Sequence, residues 1–204
     1  MASSRRTTDG WGRQPVAEGA ARSVDDGDGA PVTGETIQIG IAVDIPEPWG
    51  SLLTRRRLEA GDQQTVPAHV TLLGPTEIPV DALPAVERHL AGVAATHLPF
   101  ALHLRGTGTF RPVTQVVFVA VAAGISECEL LAAAINAAPE LRRELRFPYH
   151  PHVTVAQDVA PEALDRAYED LADFSAMFEV EAFTLFSHSG KTRWQPRRDF
   201  RLGG

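Results

Sequence analysis

One block of this 204-residue chain occurs twice, and the duplication limits the fold more than any other feature. The tripeptide His-Val-Thr stands at His69-Val70-Thr71 and again at His152-Val153-Thr154. Each copy sits in a run that reads as a β-strand, with a proline just upstream, Pro67 or Pro151. After the first copy come Pro79 and a helical run over 81–95, with Leu83, Val86, Leu90 and Val93 on one face and Asp81 as its N-cap. A strand over 100–104, a turn at Gly106 and Gly108, and a strand over 115–121 follow. After the second copy come Pro161, a helix over 162–171, a strand over 178–186, a turn at Ser189-Gly190 and a strand over 194–202. Two copies are too few for a solenoid. They predict an α+β fold: a bilobal duplicated domain with mostly antiparallel sheets, helices outside and a central cleft.

The rest of the chain fits around this repeat. Residues 1–35 are rich in Gly, Ser, Asp and Arg, lack periodicity, and read as a disordered tail. The domain spans 36–204, opening with a strand over 36–43 and a short helix over 52–60 that carries Arg55, Arg56 and Arg57. Between the two copies, 126–146 is Ala/Leu-rich and helical, with Ser126 and Glu129 in capping-box spacing and Pro139 kinking or dividing the run.

In a strand, residues i and i+2 share a face. His69 and Thr71 therefore point one way while Val70 and Leu72 enter the core, and His152 and Thr154 repeat the arrangement. Lobes packed about a pseudo-two-fold axis would turn both His/Thr pairs into one cleft. Such a cleft suits in-line attack on a phosphodiester. A neutral imidazole takes a proton from the nucleophile, and an imidazolium across the phosphate protonates the leaving oxygen. The threonine hydroxyls bind the non-bridging oxygens, where charge develops. This chemistry needs no metal and no cofactor. By spacing alone, about one His-x-Ser/Thr is expected by chance among seven histidines, so the matched surroundings carry the weight.

Those surroundings resemble a known family. Pro67-Ala68-His69-Val70-Thr71-Leu72-Leu73-Gly74 and Pro151-His152-Val153-Thr154-Val155-Ala156 are similar to the paired signatures of the two-histidine (2H) phosphoesterase superfamily. The likeness is nearest to its bacterial 2′-5′ RNA ligase and cyclic phosphodiesterase branch, and the turn Gly108-Thr109-Phe110 fits it too. The resemblance runs over about 36–202. It implies a bilobal fold with a central cleft, catalytic His69 and His152, phosphate-binding Thr71 and Thr154, no metal, and hydrolase or ligase activity. Its substrates would be RNA ends with a 2′,3′-cyclic phosphate or small cyclic phosphodiesters. One departure stands out: many relatives carry an arginine just after the second motif, where this chain has Gln157.

Other residues are candidates of lower specificity. Tyr149 and Phe110 could stack a base, and Arg111 and Arg193 could neutralise a phosphate. His69, His150 and His152 form an alternative, zinc-binding set. A second alternative is a nucleotide- or RNA-binding module without turnover. The Gly190-Lys191-Thr192 triplet lacks the first glycine and the helix of a P-loop. A net charge of -7 argues against coating long nucleic acid by charge alone, although Lys191, Arg193, Arg197, Arg198 and Arg201 crowd the C-terminus. No apolar run reaches membrane-spanning length, and the polar N-terminus is no secretory signal. Cys128 in its Ala/Leu run reads as a small buried residue. A cytoplasmic monomer is the expectation.

Overall fold

The computed structural model describes residues 34–62, 66–143, 147–188 and 194–203. The tail expected over 1–35 falls almost wholly outside them, as do the turn at Ser189-Gly190 and Arg193.

Eight strands form two antiparallel four-stranded sheets. Sheet A has the order β2 (His69–Pro79), β1 (Thr36–Asp44), β7 (Ala182–His188), β8 (Gln195–Arg201). Sheet B has the order β5 (His152–Gln157), β4 (Val116–Ala123), β3 (Phe100–Thr109), β6 (Ser175–Val180). Each His-Val-Thr motif therefore lies at the start of an edge strand, and the two edge strands meet.

The helices are α1 (Trp49–Glu59), α2 (Leu83–Thr96), α3 (Ile125–Ile135) and α4 (Pro161–Asp170). They bind the lobes reciprocally: α1, which leaves sheet A, packs on β5, and α3, which leaves sheet B, packs on β2. A continuous apolar core joins Ile39, Ile41, Val43, Val70 and Leu73 of sheet A with Val117, Val119, Val153 and Val155 of sheet B, through Leu53, Leu90 and Leu131 of the helices. Cys128 is buried in it, and burial pushes its thiol up to about 12, as expected of a structural cysteine.

The antiparallel bilobal reading holds, with corrections to its parts. The strand expected over 178–186 is two strands, broken at Glu181. β6 completes sheet B and β7 returns to sheet A beside β1. Alternation cannot show this, because apolar residues continue through the crossing. The repeat along the chain is consequently β1-α1-β2-α2 and β4-α3-β5-α4, so each copy includes the strand and helix before its motif; in the sheets β3 beside β4 matches β7 beside β1, and β6 matches β8. Asp81 lies in a short 3-10 turn, and α2 starts two residues later without a side-chain cap. The Ser126/Glu129 capping box does not form. Gly124, in the left-handed region, precedes α3, which ends at Ile135 before Pro139 can break it.

Both motif strands carry a β-bulge at the same place. Thr71 pairs with Ala42 and Leu73 with Ile41, leaving Leu72 extra. Thr154 pairs with Phe118 and Ala156 with Val117, leaving Val155 extra. Leu72 and Leu73 both enter the core, as do Val155 and Ala156. The bulge inverts the alternation beyond it, so the next residue, Gly74 or Gln157, falls on the same face as the His and Thr.

Arg57 of α1 is 2% exposed and its Nε donates to Asp62 Oδ2 at 2.7 Å. Asp62→Ala is expected to cost about 3–5 kcal/mol in urea unfolding, because it takes the paired carboxylate from a buried guanidinium. Glu59→Ala, which removes the exposed partner of Arg55 and Arg56, should cost under about 1 kcal/mol.

Candidate active site

Each motif imidazole is fixed in the same way. Nδ1 of His69 donates to the carbonyl of Pro67 at 2.7 Å, and Nδ1 of His152 to the carbonyl of His150 at 2.7 Å. In both cases the acceptor is two residues upstream, where the chain enters the strand. A proton held on Nδ1 places the basic lone pair on Nε2 in both rings. The prolines Pro67 and Pro151 help shape these entries, since proline fixes its own φ and restricts the residue before it.

Both rings are withdrawn from water. His69 is 8% exposed and His152 is half-buried. Burial lowers each pKa to about 4, against a partly opposing effect of the backbone hydrogen bond. The charges of Arg57 and His152 lower His69 further, and His150 does the same to His152. The two imidazoles are thus close enough to sense each other, and both are neutral at pH 7.

The second motif sits in an aromatic cage. Phe110 meets the His152 ring edge-on at 5.0 Å, and Phe118 lies 5.2 Å away. The two phenyl rings are 4.5 Å apart, and His150 closes the group at 5.9 and 5.7 Å from them. Gly108 permits this: a β-carbon there would lie 2.5 Å from the Phe118 ring. Phe118 carried no sequence signal, because β4 is apolar on both faces. The motif face of sheet A is more polar. Asp44 stands directly opposite His69, and the Thr184 hydroxyl lies 2.9 Å from Asp44 and 2.8 Å from Asp199.

Thr71 and Thr154 are half-buried on the faces of their histidines, as strand alternation required. Phe110 is beside His152. Tyr149 is half-buried, and its hydroxyl donates to the Thr71 carbonyl at 3.0 Å, bracing the open edge of β2. Arg111 is engaged by Asp165 at 2.7 Å and by the Thr109 hydroxyl. Gln157 is 6% exposed, and its Oε1 has no hydrogen-bond partner among the described residues. Among the described residues no three His, Cys, Asp or Glu side chains converge to hold a metal, so His69, His150 and His152 do not assemble as a zinc set. No helix among them is long and apolar enough to cross a membrane.

A pair of antiparallel sheets that presents two backbone-anchored histidines, each with a threonine, is the architecture of the two-histidine phosphoesterases. The chain belongs to the 2′-5′ RNA ligase superfamily, whose sequence profile matches residues 45–192. A Bacillus cytotoxicus protein with a provisional phosphoesterase name is 28% identical over 144 residues, 68% of this chain and 80% of that protein. A similarly named protein of Halalkalibacterium halodurans is 27% identical over 135 residues, 66% of this chain and 74% of that one. Among solved structures, E. coli LigT complexed with 3′-AMP superposes with a TM-score of 0.62 at 21% identity, covering 83% of this chain and all of LigT. LigT has also been crystallised with NADP+ and with ATP. A Thermus thermophilus protein gives a TM-score of 0.61 at 26% identity, covering 82% of this chain and 98% of its own. The protein is an enzyme of phosphoesterase or RNA-ligase type.

The lowered pKa values also make the site acid-labile. Between about pH 4 and 6.5 the unfolded chain binds protons that the folded chain refuses, so stability rises with pH across that window and is complete above it. Each imidazole contributes on the order of 3 kcal/mol in total across this window. Chemical denaturation at pH 4.5 and pH 7 is expected to show a large loss of stability at low pH, mostly absent from a His69→Gln/His152→Gln double variant.

Proposed function

We propose that the protein is a metal-independent phosphoesterase acting on 2′,3′-cyclic phosphates or RNA ends, with His69 and His152 as its acid/base pair. The observation that carries this reading is the identical Nδ1 anchoring of the two rings on adjoining edge strands. It gives both the same tautomer, with Nε2 as the catalytic nitrogen. In cleavage, one Nε2 takes a proton from water, the water oxygen bonds to phosphorus, the bond to a ribose oxygen breaks, and the other ring protonates that oxygen. Ligation follows the same path in the same direction with a 5′-hydroxyl in place of water, and the reverse of that step cleaves the diester back to the cyclic phosphate. Thr71 and Thr154 donate to the non-bridging oxygens. The nucleotides bound by LigT support a nucleotide-type ligand for a cleft of this fold.

The surroundings of the rings favour a division of labour. Burial lowers both rings to about 4 alike, and they differ in that the cation near His69 is the permanently charged Arg57, which leads us to assign His69 the base and His152 the acid in the cleavage direction. An acid must nevertheless be protonated, and the free protein holds both rings neutral at pH 7. A bound phosphate anion supplies the charge that raises one of them.

The main test is turnover of 2′,3′-cyclic nucleotides and of RNA bearing a cyclic-phosphate end, in EDTA. Activity should persist in EDTA and fall by about 10² or more in His69→Ala and in His152→Ala. Loss in EDTA with recovery on zinc, or full activity in both variants, would refute the assignment; tight binding without turnover would mark a recognition module. In the active protein, kcat/KM should fall about tenfold per pH unit above roughly pH 5, while the corresponding limb of kcat lies at higher pH. The roles separate on a diester with a nitrophenyl leaving group, which needs no acid. There His152→Ala should lose much less activity than His69→Ala; equal losses would cancel the division of roles.

A further inference from the structure

The segment that enters the second motif runs along the open edge of the first. Tyr149 bonds the Thr71 carbonyl, and further along Arg143 Nη1 donates to the Pro75 carbonyl at 3.3 Å. The guanidinium comes to rest on Gly74: a β-carbon at that residue would lie 3.0 Å from Arg143 Nη2. Gly74 is the residue that the bulge at Leu72 turns to the face of His69 and Thr71. Its counterpart after the bulge in β5 is Gln157, which has a side chain of its own. The first motif strand thus has a bare position, and a guanidinium from the other lobe occupies the space.

The charge there is not neutralised. Arg57 is held by Asp62 and Arg111 by Asp165, whereas no carboxylate of the described residues pairs with Arg143. Arg143 is exposed to incoming ligand, yet packing against β2 removes enough water to lower its pKa. Structural arginines are usually paired, and a partly desolvated guanidinium with donors to spare is suited to a phosphate. From Thr71 to Gly74 the strand advances on the order of 10 Å. The guanidinium therefore lies beyond reach of a phosphate held at Thr71, but within reach of a neighbouring phosphate of the same ligand.

We propose that Arg143 forms a second anion subsite on the cleft face of sheet A, which takes the phosphate one nucleotide removed from the reacting one. The preferred substrate class is then a nucleic-acid end with at least two phosphates, in preference to a cyclic mononucleotide. The inference rests on the acid/base reading for the location of the reacting phosphate, but it can be tested without turnover. Calorimetric titration should show that the full chain binds uridine 3′,5′-bisphosphate about tenfold or more tightly than uridine 3′-monophosphate. Arg143→Ala should abolish that preference and leave the monophosphate affinity within about threefold, and Arg143→Lys should keep part of it. In turnover, a dinucleotide ending in 2′,3′-cyclic phosphate should lose its kcat/KM advantage over the cyclic mononucleotide in Arg143→Ala, mainly through KM.

A wild-type protein without the bisphosphate preference overturns the subsite, as does a preference that survives in Arg143→Ala. Equal weakening of both ligands in that variant makes Arg143 a strut for β2 and overturns it as well. If the preference depends on Arg143 but no substrate is turned over, the subsite stands and the catalytic reading falls. Turnover of both substrates with equal kcat/KM has the opposite meaning.

Discussion

The structure depends on the junction between β2 and β5. Both are edge strands, and an edge strand presents a row of backbone groups that needs cover. Here the cover is mutual. The helix leaving each sheet packs on the motif strand of the other, and the chain entering β5 lays Tyr149 and Arg143 against carbonyls of β2. The same contacts draw one core through both lobes. The two motifs can then be held in register only if the lobes are held together. The geometry of the two motifs and global stability therefore rest on the same interface.

That interface explains the electrostatics. Strand entries that pass into a covered seam bury their first side chains, and in both copies that side chain is an imidazole. Burial alone would leave each ring an unsatisfied polar group. The carbonyl two residues upstream satisfies Nδ1 and fixes the tautomer, and the resulting ring is neutral at pH 7. A site built this way carries little charge of its own. Two arginines near it differ: Arg57 is paired with Asp62, and Arg143 stands over Gly74 at the cleft.

Most of the local pattern was legible in the sequence. The tripeptides, the prolines before them, the helical run after the first copy and the Gly-containing turn all reflect short-range physics: alternation, helical spacing and the conformational freedom of glycine. The features that escaped depend on partners distant in the chain. Residues 178–186 read as one strand, because nothing in Phe178 to Phe186 records that the first part pairs with β3 and the second with β1. The bulges at Leu72 and Val155 were equally hidden, since Leu-Leu and Val-Ala are ordinary strand letters. Nothing in the apolar run of β4 marks Phe118 as the ring that lies 5.2 Å from His152, and nothing local marks Arg143 as the arginine that rests on Gly74.

The sequence by itself determined that two strands would each present an imidazole and a hydroxyl on one face, because side-chain direction along a strand has a period of two and needs no other part of the chain. It also determined that each copy would follow a proline and lead into a helix, because those flanking elements repeat. Only the tertiary structure decided which edges meet, how deeply the rings are buried and which residue beyond each bulge turns back to the cleft. These are matters of register, packing and dielectric, and they exist only once the two lobes have closed on each other.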